Sequence, residues 1–283
     1  MTSEAVSGAV KKRGFFYASM RVFDLSLSEM LWSRRTVFMV LVTGLPVILA
    51  LVVRAADLLG ASTWRVNNTA MNGSSIFALM IWAFYLRFSV PVLGAFYGTA
   101  LIADEVEDKT ITFLFTRPIS RSAVLFGKYL AYLVCTMLVV LPSVVVVWLL
   151  VAPLGGGTMA TTFLDLAKDL PILAAGLAVY GALFALVGST FKRPLLTGLI
   201  FVFGFEPAVL VFPGYLKKLT IAYYLQGLVP QAMPNDTVVS LVQQIFRETP
   251  GFATSVVSLA VITVVSLWLA GRTVSKKEYI LEQ

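Results

Sequence analysis

"SAVLFGKYLAYLVCTMLVVLPSVVVVWLLV", residues 122–151, carries a single charged side chain, Lys128, close to its start. A helix rises about 1.5 Å per residue, so roughly 20 apolar residues cover the ~30 Å of hydrocarbon in a bilayer. This run is longer than that and reads as a membrane span. Outward from it, the stretches 36–53, 76–103, 170–190, 195–212 and 252–270 read the same way. The expected fold is an all-α polytopic membrane protein with six transmembrane helices.

Composition agrees. Of the 283 residues, 58% are hydrophobic and 13% charged, where a soluble domain carries about a quarter charged residues. Mean hydropathy is +0.87. The chain has one cysteine, Cys135, and no histidine. A disulfide framework, a cysteine-based metal site, His-zinc chemistry and His-dependent intramembrane hydrolysis are therefore excluded within one chain. The N-terminus, "MTSEAVSGAVKKRGFFYASM", lacks the apolar core of a signal peptide, so insertion is expected to rest on the spans themselves.

Basic residues set the orientation. With the N-terminus inside, the cytoplasmic side receives Lys11, Lys12, Arg13, Arg21, Arg34, Arg35, Lys109, Arg117, Arg121, Lys128, Lys192, Arg193, Arg272, Lys276 and Lys277. The outer side receives only Arg54, Arg65, Lys168, Lys217, Lys218 and Arg247. Both termini are thus expected in the cytoplasm, and the net charge of +7 faces anionic headgroups there. No basic stripe with interleaved aromatics points to nucleic acid.

The expected organisation has three parts. Residues 1–35 form a cytoplasmic N-terminus with an amphipathic interfacial helix, its apolar face made of Phe16, Met20, Phe23, Leu27, Met30 and Leu31. Residues 36–271 form the transmembrane domain, and 272–283 a cytoplasmic tail. Between the fifth and sixth spans, 214–250 is an extracytoplasmic helical loop. Within it, 219–229 is too short to cross and reads as re-entrant or interfacial, and Val238, Leu241, Val242, Ile245 and Phe246 form a second apolar stripe. The sequons at Asn67, Asn72 and Asn235 all fall on the expected outer side.

One polar segment interrupts this pattern. "IADEVEDKTITFLFTRPISR", residues 102–121, places Asp104, Glu105 and Asp108 on one helical face, with Glu107 elsewhere. Ile111, Phe113, Leu114 and Phe115 add an apolar surface, and Pro118 ends the helix. Ser120 or Ser122 caps the next span. The expectation is a short cytoplasmic helix, a tight break and a return into the membrane.

The wider stretch "GTALIADEVEDKTITFLFTRPISRSAVLFGKYLA", residues 98–131, resembles the signature of type 2 ABC exporter permeases, the membrane subunits of bacterial ATP-driven exporters. That signature runs from acidic residues through Thr and a Leu-containing helix to Pro-[Ile/Val]-Ser-Arg and Gly-Lys. Here it maps to Glu105, Glu107, Asp108, Thr110, Leu114, Arg117, Pro118, Ile119, Ser120, Arg121, Gly127 and Lys128. Lys109 stands where the family often has Gly.

The resemblance implies that this segment is a coupling helix docking on a separate nucleotide-binding subunit. Asp104, Glu105, Glu107, Asp108, Thr110, Phe113, Leu114, Arg117, Pro118 and Arg121 would then be the coupling residues. It further implies a second permease copy or paralogue, a bacterial inner-membrane location, and ATP with Mg bound only by the partner ATPase. The chain has no Gly-x-x-x-x-Gly-Lys-[Ser/Thr] phosphate loop of its own, so it is expected to be a transport subunit and not an enzyme, with no cofactor of its own.

Inside the spans, Arg87 and Glu206 are the charges that need explaining. Helix rise puts them close enough in height for an arginine to bridge. The pair reads as a substrate-path or gating pair, as a structural bond, or as an Arg87 that snorkels to the interface. Pro91 and Pro207, beside these charges, are expected to kink both helices. The alternatives to an exporter permease are a secondary transporter or channel, and a non-transporting subunit of an ABC-linked assembly complex. No inverted repeat supports the former.

Overall fold

The computed structural model describes residues 15–60, 65–66, 69–70, 72–107, 121–154, 159–211, 215–229 and 250–276. The described chain is helical apart from one antiparallel pair, β1 (Arg65–Val66) with β2 (Thr69–Ala70). The helices are α1 (Phe15–Leu31), α2 (Arg34–Leu58), α3 (from Gly73 to Glu107), α4 (Arg121–Val151), α5 (Met159–Thr190), α6 (from Pro194 to Val211), α7 (Ile221–Gln226) and α8 (Phe252–Lys276). A 3₁₀ turn, Tyr215–Leu219, precedes α7.

Five of these contain stretches long and apolar enough to cross a membrane: Arg35–Leu58, Gly73–Ala103, Arg121–Val151, Thr162–Thr190 and Phe252–Lys276. The chain is therefore a multi-pass membrane protein. The expected crossing at 195–212 corresponds to α6, in which the apolar stretch covers Pro194–Val209. At about 1.5 Å per residue, it falls short of the ~30 Å hydrocarbon thickness. It is also irregular, passing through a π-helical turn at Phe201–Phe205 just before Pro207. Among the described residues five full-length apolar helices thus occur, and the remaining expected span corresponds to the shorter, broken α6.

α3 is irregular for the same reason. It widens to π-helix at Ile81–Ser89, immediately before Pro91, and again at Gly94–Gly98. Proline has no N–H and its ring crowds the carbonyl four residues back. A widened turn upstream moves that carbonyl aside, which is why kinks and π-bulges accompany prolines in long helices. Pro46 in α2, Pro142 in α4 and Pro171 in α5 lie within regular α-helix.

α5 is the hub of the bundle, touching α3, α4, α6, α7 and α8. Close approach to α3 depends on glycine. A Cβ on Gly94 would stand 2.7 Å from the Cβ of Tyr180, and one on Gly98 2.8 Å from the Cβ of Phe184. On the α5 side, Gly181 accommodates the ring of Tyr132 and Gly188 the backbone of Thr99. Water-driven hydrophobic association is absent between helices in lipid, so small residues that admit tight backbone contact drive the packing. Hydrogen bonds cross the same interfaces. Tyr132 and Tyr129 of α4 donate to the carbonyls of Leu177 and Ala178, at 2.9 and 2.8 Å.

α1 packs on the bundle through its small residues. It lies against α4 through Ala18, Ser19, Val22 and Ser26, which are buried. A Cβ on Gly127 would meet the Ser19 carbonyl oxygen at 2.5 Å and the Val22 Cβ at 2.9 Å. Of the apolar face expected at the interface, Phe16 and Met20 are exposed, whereas Leu27, Met30 and Leu31 pack against the core. Size decides the contact face, since only small side chains fit over Gly127. At the corner into α2, Ser33 accepts from the Arg35 amide at 3.2 Å and Thr36 donates to the Met30 carbonyl at 2.6 Å. These two bonds fix the turn between the helices.

Candidate functional site

The polar centre of the bundle is assembled from four elements. Glu206 of α6 is 3% exposed, deep among apolar helices. The Tyr180 hydroxyl of α5 donates to it, standing 2.7 Å from each carboxylate oxygen. The Ala222 amide of α7 donates to Oε1 at 3.0 Å, and the Ile221 amide also faces the carboxylate. The Arg87 guanidinium of α3 lies close enough for both Glu206 and Tyr180 to act on its charge. It also sits over the Trp82 ring at 5.4 Å from the centroid.

Local sequence explains why these groups converge. Arg87 belongs to the widened turn before Pro91, and Glu206 follows directly on the widened turn before Pro207. Each proline therefore distorts its helix beside a charge. Tyr180 is held by α5 packing, fully buried and stacked on Phe184 with centroids 6.1 Å apart. α7 is a short helix whose Ile221, Ala222, Tyr223 and Leu225 are buried against α5, α8 and α3. Its free N-terminal amides would be costly in hydrocarbon, and the carboxylate satisfies them. In return, donors surround a charge that would otherwise be prohibitive at that depth.

The two charges singled out from the sequence thus share one buried neighbourhood. Tyr180 and the α7 amides are the members that sequence reasoning missed. A tyrosine in an apolar run carries no periodic signal, and a backbone amide carries none at all. The apolar segment 219–229 contains α7 as a buried helix, while the stripe at 238–246 lies outside the described residues.

Of the acidic segment, the structure describes the backbone as far as Glu107. α3 continues through Asp104, Glu105 and Glu107, so these acids occupy its last turn, where no basic residue accompanies them. Asp108, Thr110, Phe113, Leu114, Arg117 and Pro118 lie outside the described residues, and Arg121 begins α4 half-buried. No group of His, Cys, Asp or Glu able to hold a metal occurs among the described residues.

Comparison with family models matches residues 20–275 to the family described as ABC-2 family transporter protein. No curated protein matches the chain.

Proposed function

We propose, from the premise that this chain belongs to the ABC-2 family of transporter proteins, that it is the membrane-spanning permease of an ATP-driven exporter. Substrate leaves the cytoplasm through it, and the energy comes from ATPase subunits on separate chains. The observation that carries this reading is the extent of the family match, which covers all the crossing helices and the acidic segment between α3 and α4. In this reading ATP and Mg are bound by the partner, in keeping with the lack of a Gly-x-x-x-x-Gly-Lys-[Ser/Thr] run in this sequence.

The acidic last turn of α3 supports docking at that segment. Carboxylates at a helix C-terminus oppose the helix dipole by roughly 0.3–1 kcal/mol each. A basic surface on a partner would relieve that opposition. In this reading Asp104, Glu105, Glu107 and Asp108 supply the charge, while Thr110, Phe113, Leu114, Arg117, Pro118 and Arg121 shape the docking element. α6 completes a sixth, broken crossing, the permease works as a homo- or heterodimer in the inner membrane, and both termini face the cytoplasm. Arg87 and Glu206 brace the helices that must reorient during the cycle.

Co-purification tests the proposal. The permease is expressed with a candidate partner ABC ATPase, in wild-type form and with Glu105, Glu107 and Asp108 each changed to Lys. The wild type is expected to retain the ATPase and the triple variant to lose it, while both insert normally. Normal retention by a correctly inserted triple variant overturns the coupling assignment. Orientation is tested by labelling Lys277→Cys and Lys168→Cys with a membrane-impermeant maleimide in intact cells. Cys135 is buried and gives little background. Only the Lys168→Cys variant is expected to react.

A further inference from the structure

At the end of the bundle opposite α7, a groove of about 570 Å³ opens between α2, α3 and α6. Its volume falls in the ~300–1,000 Å³ range of ligand-holding clefts. Arg35, Lys192 and Arg193 stand among its lining residues. Apolar residues make up much of the remaining lining: Phe38 and Phe96, whose ring centroids are 4.2 Å apart, with Leu195 and Leu196. Among the described residues, Lys192 and Arg193 form no ion pair. Tyr97 also lines the groove, and although only 2% exposed, its hydroxyl closes no hydrogen bond.

From this arrangement we infer that the groove is a binding site for an anionic phospholipid of the adjoining leaflet. A phosphate diester needs cationic donors at the membrane surface, and Arg35 offers a guanidinium fork while Lys192 offers an ammonium point charge. Basic pockets between membrane helices hold acidic headgroups in this way. Below the headgroup, an acyl chain needs a dry wall, which Phe38, Phe96, Leu195 and Leu196 provide. Between the two regions, the Tyr97 hydroxyl is a buried donor suited to a phosphate or ester oxygen. A free inorganic anion would use the rim and leave the walls bare, whereas a zwitterionic lipid would bring its own cation against three bases. The inference depends on the membrane-spanning fold and not on the direction of transport.

The test is native mass spectrometry of the full chain, titrated in detergent with phosphatidylglycerol or phosphatidylcholine of the same acyl chains. Phosphatidylglycerol is expected to be retained at least tenfold more tightly. The Lys192→Gln, Arg193→Gln double variant should lose about tenfold in that affinity, as expected for removing charge-assisted hydrogen bonds. Both residues are exposed between α5 and α6, so folding should survive the change. Lys168→Gln, exposed near the start of α5, should leave the affinity unchanged. Equal retention of the two lipids, or wild-type affinity in the double variant, overturns the site. Displacement of the lipid by glycerol phosphate at equal concentration would also overturn it, because the acyl walls would then contribute nothing.

Discussion

Charge gathers beside α3 and α6 in two places, and the two places are built on opposite principles. Around Glu206 the carboxylate receives a hydroxyl and backbone amides, with an arginine charge nearby, and almost no surface remains open. Around Arg35, Lys192 and Arg193 the charges line an open groove with apolar walls. A charge in hydrocarbon must be satisfied before the helix is stable, whereas a charge at the membrane surface has water and lipid headgroups to serve it. The first arrangement holds helices in register, and the second leaves binding capacity.

That contrast is open to direct attack. The largest effect should follow Glu206→Ala, which strips Tyr180 and the α7 amide of their acceptor and removes the negative charge that acts on Arg87. Breaking a buried pair from one side costs about 3–5 kcal/mol, to be read as a lowered unfolding midpoint of the purified protein. The Arg87→Ala, Glu206→Ala double variant should recover part of that loss. Additive effects would mean that the two charges do not act on each other and would dissolve the contrast.

Next comes Gly98→Leu, which forces α3 away from Phe184 and Gly181 and should cost about 1–3 kcal/mol by overpacking. Tyr180→Phe removes one charge-assisted donor while keeping the ring, and a loss of about 1.5–3 kcal/mol is the upper expectation. Membrane reference states reduce such bonds, so a value near 1 kcal/mol is expected from the same unfolding measurement. The smallest effect should come from Lys192→Gln, within about ±0.5 kcal/mol. A destabilisation comparable with that of Glu206→Ala would show that the groove charges are structural.

The sequence made some of this legible and concealed the rest. Hydropathy located the long helices because the bilayer imposes a length that composition must meet. It gave no sign of the widened turn that breaks α6 just before Pro207. Arg87 and Glu206 stood out because charge in a span needs a reason. Tyr180 did not, since a hydroxyl on an aromatic ring scarcely alters an apolar run. For α1, the hydrophobic stripe marked an interfacial face, while Ser19 and Val22, which seat the helix over Gly127, gave no such signal. Contact in lipid is decided by the closeness of backbones, which a hydropathy pattern does not record. The acidic segment was identified by motif, and most of its length lies outside the described residues.

The Glu206 cluster also has a history, because its members are made in a fixed order. Arg87 and Tyr180 precede Glu206 in the chain, and the Ala222 amide follows it by 16 residues. At ribosomal rates of 5–20 residues per second, that interval is about one to three seconds. When Glu206 emerges, its hydroxyl donor and its counter-charge already exist, and only the last donor is outstanding. The acid can therefore be received into the membrane by partners already waiting, and α7 seals the assembly when it arrives.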